Sequence, residues 1–197
     1  MNKHIIILVA IVLSGLVLRG FSLYYWNQTP YHDVAADVRA AESFATNGTF
    51  QIGPPSDAPA LYSLGRGRFL DQHPILWPFL GAALSFVSGI NAFASLKILS
   101  LLSGLFAIFL GYVLGRRLIN KDAGLTLAAF TSLSYILIDF SANGSLYAFH
   151  GALFLLWIFL VSRFYDPEKS GFPSESFFSV RQAIYLAGVS AAGLMLN

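Results

Sequence analysis

The chain has 197 residues, 56% hydrophobic and 11% charged, where a soluble domain carries roughly a quarter charged residues. A net charge of +2 with no basic run excludes nucleic acid as a partner, and the absence of cysteine excludes disulfide and thiolate chemistry. The few charges gather in connecting segments, and the long apolar runs between them are those of an integral membrane protein.

A helix crossing the hydrocarbon core needs about 20 mostly apolar residues. The first run, 5–25, is interrupted only by Arg19. It is too long for a signal h-region, and no small-residue cleavage site follows, so it reads as a retained span. Further spans are predicted at 94–115, 122–141, 146–163 and 182–197. The run 74–89 is shorter and holds Pro74 and Pro78. Charge decides its placement: Arg116, Arg117 and Lys121 form one basic loop, and Arg163, Lys169 and Arg181 flank another. Both loops fall in the cytoplasm, with Lys3, only if 74–89 lies in the outer interface, a place that suits Trp77 and Phe79.

The segment 26–93 is then a long outer loop. Its part 33–46 is helical by pattern, with Val34, Val38, Ala41 and Ala45 on one stripe, Asp33, Asp37 and Glu42 away from it, and Gly48 as the stop. The Pro- and Gly-rich stretch that follows is irregular, and loops of such length are more often functional than idle. The fold class expected is all-α: a polytopic transmembrane helical bundle whose long outer loop carries amphipathic and interfacial helices. The run 182–197 stops as it becomes long enough to cross, so residues 1–197 read as the N-terminal part of a longer protein.

Several residues are placed to carry chemistry. Asp33, first acid after the first membrane exit, reads as an N-cap or as a general base at the membrane surface. Asp37 lies one turn on. Asp71 and His73, with His32 and Asp33, offer oxygen and imidazole ligands, though at no metal-signature spacing, and a surface turn explains them as well. Arg66, Arg68 and Lys97 suit a phosphate, or equally the headgroups of anionic lipids. Asp139 and His150 fall in or near spans, where ionisable groups are costly. Asn27, Asn47 and Asn143 head glycosylation sequons on the outer side, with Asn47-Gly48 explained equally by a helix end.

The order of these pieces resembles the N-terminal portion of the GT-C glycosyltransferase superfamily, nearest to its branch of bacterial aminoarabinose transferases and protein O-mannosyltransferases. Asp33, Ala41, Phe44 and Gly48 follow the family's acidic outer helix. Asp71-Gln72-His73-Pro74 resembles its acidic-x-His-Pro element, and Leu114-Gly115-Arg116-Arg117-Leu118 the cytoplasmic end of its second span. The chain departs from the pattern at Val34, where many members have Glu, and at Ser141-Ala142-Asn143-Gly144, where many have an Arg and an acidic residue. The resemblance implies an inverting hexosyl or pentosyl transferase of the cell envelope, in a bacterial or archaeal plasma membrane with the N-terminus cytoplasmic. It would take sugar from a polyprenyl-phosphate donor to a lipid, glycan or protein acceptor outside. Asp33 would be the catalytic base, with Asp37, Arg66, Arg68, Asp71, His73 and Lys97 binding substrate. No cofactor is implied, though a divalent cation is compatible with the donor set. The rival expectation is a non-enzymatic polytopic protein, a transporter half or assembly partner.

Overall fold

A computed structural model describes residues 3–25, 32–48 and 75–164, and within them all regular structure is α-helical. The helices are α1 (Lys3–Tyr25), α2 (His32–Asn47), α3 (Leu76–Ser88), α4 (Ala92–Leu118), α5 (Lys121–Leu133), α6 (Tyr135–Ala142) and α7 (Tyr147–Phe164). Among them α1 and α4 are each long and apolar enough to cross a membrane, and α5 with α6 makes a third if the bent pair is one span. The expected helix at 182–197 lies outside the described residues.

Large apolar side chains lie on the outer surface of the described residues, and small polar ones are buried between the helices. Val17, Phe21, Phe106 and Phe109 face outward, while Arg19, Ser100, Thr131, Ser132 and Ser141 are buried. An outer surface this apolar is stable only against an apolar solvent, and small polar residues let helices approach closely and bond across their contact.

Helix α4 is the central post, packed against α1, α2, α3, α5, α6 and α7. It begins at Asn91, whose Oδ1 accepts the Ala94 N–H at 2.8 Å, and it turns into α5 through Asn120, which caps Ala123 N–H at 2.9 Å. The two helices then run back to back where Gly115 meets Gly124. A Cβ on Gly115 would sit 2.7 Å from the Ala123 carbonyl oxygen, and one on Gly124 would sit 2.6 Å from that of Tyr112. Only hydrogen fits between these backbones. Around this hairpin Ile108, Tyr112 and Ala128 form one apolar core, covered by Leu8, Ile11 and Val12 of α1. A second core, at the opposite end of α4, joins Val34, Val38 and Ala41 of α2 to Trp77 and Ala82 of α3 and to Ala92, Leu96 and Leu146.

Two expectations are corrected. The predicted span 122–141 is not one helix: α5 and α6 are bent by 58° about Ser134. The Thr131 and Ser132 carbonyls accept from the Arg19 guanidinium, each at 3.2 Å, in place of the next turn's N–H groups. Hydropathy along the chain does not encode a contact between residues more than a hundred positions apart. The second correction concerns the faces of α2. Asp37 is 1% exposed and buried with Val34, Val38 and Ala41, whereas Ala45 is exposed. Because α2 meets α3 on one side and α4 on another, its buried arc is wider than a single stripe. Glu42 is exposed, and Gly48 ends the helix at φ 67°, its N–H on the Phe44 carbonyl at 2.9 Å.

Candidate functional site

Helices α2 and α4 and the turn after α6 meet at the second core. Asp33 lies in the first turn of α2 by its backbone, and its side chain is outside the described residues, as is that of His32. One turn on, Asp37 points inward and is buried. Burying a carboxylate is costly unless its surroundings stabilise it, so its inward position is a feature of the site and not a solvated helix face. From α4, Lys97 enters the same region. It is 7% exposed, with its ammonium 4.3 Å from the Phe93 ring centroid, a distance at which the ring face attracts a cation.

The turn after α6 closes the cluster. Gly144 adopts φ 86°, a left-handed conformation that favours glycine. A Cβ there would meet Val34 Cγ1 at 3.4 Å and Lys97 Cγ at 3.5 Å, so turn, α2 and α4 touch at this point. Hydrogen bonds hold the turn. Trp77 donates Nε1–H to the Gly144 carbonyl at 3.2 Å, the Ser100 hydroxyl shares its proton between the carbonyls of Phe140 and Ser145 at 2.7 and 3.0 Å, and Asn143 Oδ1 accepts the Ser145 N–H at 2.9 Å. Asn143 is thus 7% exposed, with its Oδ1 engaged, so its sequon lies in a buried turn.

Beneath Trp77 an apolar groove of about 280 Å³ runs between α3, α4 and α7, lined by Leu80, Leu99, Leu102, Phe106, Phe149 and Leu153 among others. Trp77 belongs to both places. One side of its ring lies in the core with Val34, and the ring also lines the groove, 5.3 Å from that of Phe149.

Of the predicted site residues, Asp37 is buried on α2 and Lys97 is buried on α4, and the backbone of Asp33 lies on the same helix as Asp37. Arg66, Arg68, Asp71 and His73 lie outside the described residues. Asp139 is half-buried near the end of α6, and His150 is half-buried beside Phe149, their rings 6.5 Å apart. Reading the chain alone missed Trp77 as a hydrogen-bond donor and Arg19 as a packed group. Arg19 carried a signal, since it is the single charge inside an otherwise apolar run, where ionisable residues are functional by default.

No family model matches the chain, and neither a curated protein nor a solved structure matches it.

Proposed function

We propose that the chain is part of a multi-pass membrane glycosyltransferase, taking sugar from a polyprenyl-phosphate donor to a lipid, glycan or protein acceptor on the extracytoplasmic side. The observation that carries this reading is Trp77, which packs in the core beside α2, lines an apolar groove, and donates to the turn that Lys97 touches. Donor and site have the same two-part chemistry. The isoprenoid chain would lie in the groove, and the phosphosugar would stand above it near Lys97 and α2. The motif resemblance of α2 supports the same assignment, with Asp33 in its first turn.

The reaction would run as an inverting displacement. The acceptor hydroxyl oxygen attacks the anomeric carbon from the face opposite the phosphate, and the bond from that carbon to the phosphate oxygen breaks. The Asp33 carboxylate takes the hydroxyl proton as general base. The departing phosphate gains negative charge, which Lys97, Arg66 or Arg68 would stabilise. In this reading α3 lies along the outer interface: its 13 residues span about 20 Å, short of the roughly 30 Å hydrocarbon core.

The test is transfer of labelled sugar from a polyprenyl-phosphate donor by the full-length protein in liposomes. Asp33→Asn keeps the shape and any capping bond but cannot take a proton, so the rate should fall by about 10²–10⁴-fold. A variant that keeps more than a tenth of the wild-type rate would reduce Asp33 to a helix cap.

One observation favours a second reading. The break between α5 and α6 beside a buried cation resembles the discontinuous helices on which transport sites are built. Solute uptake into proteoliposomes with no sugar transfer would make the chain a transporter half.

A further inference from the structure

We infer that Arg19 imposes the break between α5 and α6 and so acts as a positioning residue for the turn Asn143–Leu146. Sharp helix bends have few causes: proline, Gly/Ser pairs, π-bulges, or a side chain inserted into the backbone ladder. The sequence Thr131-Ser132-Leu133-Ser134-Tyr135-Ile136 has neither proline nor glycine. Thr131 does bond its hydroxyl back to the Leu127 carbonyl at 2.8 Å. Such back-bonding bends a helix slightly, but it leaves the ladder closed.

Here the ladder is open. The Ser134 N–H reaches the Phe130 carbonyl at 3.0 Å and the Ile138 N–H reaches that of Ser134 at 2.9 Å. Between them the carbonyls of Thr131 and Ser132 belong to Arg19, whose Nη1 also donates to Gly15 at 3.1 Å. The guanidinium is 0% exposed, so outside these carbonyls it would be a desolvated charge without acceptors. It also sits at the negative end of α5, where a cation complements the helix dipole. Space for it is kept by Gly104, where a Cβ would lie 3.0 Å from Arg19 Nε. Burial of the guanidinium and opening of the ladder are therefore one event. The 58° bend sends α6 toward α4, where Ser100 holds the Phe140 and Ser145 carbonyls and Trp77 holds that of Gly144.

The chain has no cysteine, so a pair placed at Asp122 on α5 and Asp139 on α6 can be spin-labelled uniquely. In Arg19→Met the guanidinium is gone and the ladder should close. The α5–α6 pair would then straighten, lengthening the distance between the two labelled backbones by about 3 Å from about 23 Å, given 1.5 Å per residue and the observed bend. Adding Tyr135→Pro should restore the wild-type distance. Tyr135 is 76% exposed and opens α6, and Ser134 before it is extended at ψ 117°, the setting in which proline starts a helix. A folded Arg19→Met protein with an unchanged distance overturns the inference. If Arg19→Met alone does not fold, the double variant decides: recovery of folded protein with the wild-type distance supports the inference, and failure to recover overturns it.

Discussion

At the scale of single residues, the site depends on a few side chains that each hold two things together. Trp77 is the clearest. Its ring packs between groove and core, and its indole N–H holds the Gly144 carbonyl. Trp77→Phe keeps most of the apolar contact but removes the donor and leaves a buried carbonyl unpaired, at a cost of about 1–3 kcal/mol. Thermal unfolding of the detergent-solubilised protein should show the loss as a lower Tm, and sugar transfer should fall with it if the turn forms part of the site. Asn143 makes a second, sharper case. Its side chain is 7% exposed in the turn, with Oδ1 accepting the Ser145 N–H, so expression in a glycosylating host should leave Asn143 unmodified even though its sequon is intact. A glycan there, detected by a mass shift that Asn143→Gln abolishes, would show that the turn opens. Both outcomes depend on contacts that a sequon or an aromatic letter does not carry.

At the scale of elements, the stop of α2 at Gly48 was legible because it is local. Asn91 and Asn120 cap helices whose first turns follow them directly, and Gly48 ends α2 by its own conformation. Which face of an element is buried was less legible. The apolar stripe of α2 pointed to Val34, Val38 and Ala41, but α2 is gripped from two sides, which drew Asp37 inward and left Ala45 outside. The hairpin of α4 and α5 depends on closeness that the sequence only hinted at through Gly115 and Gly124. In Gly124→Ala the new methyl would meet backbone atoms at 2.6 Å and 2.9 Å, and backbone cannot turn aside as a side chain can. We expect a loss of about 1–3 kcal/mol from such overpacking, with the unfolding midpoint lowered accordingly. Gly20→Ala, where nothing lies within 4 Å, should leave the midpoint unchanged or slightly raised.

At the scale of the whole molecule, the proposed arrangement fixes which ends of the helices face which compartment. Helix α1 leaves the cytoplasm, α3 stays at the outer interface, α4 returns, and the α5–α6 pair crosses back before α7. Cysteine at Ile119, which is 74% exposed, should then resist a membrane-impermeant thiol reagent in intact cells, while cysteine at Ser88 should react. The reverse pattern would mean that α3 crosses the bilayer and that every later helix runs opposite to the proposal. Charge decided this parity, since the basic residues Arg116, Arg117 and Lys121 gather at one end of the α4–α5 hairpin.

What the sequence determined by itself was set by sums over neighbours: apolar run length marked the helices as candidates for an apolar solvent, Gly48 marked the end of α2, and clustered charge gave an expected orientation. The acidic helix and Lys97 were likewise visible as candidates. Only the tertiary structure decided that α5 and α6 are two helices, that Asp37 faces inward, and that Trp77 joins the turn after α6 to an apolar groove. Each of these rests on groups distant in the chain but adjacent in space, as Arg19 is to Ser132 and Trp77 to Gly144. A local pattern can report the cost of burying such a group, but the partner that offsets the cost is chosen by packing.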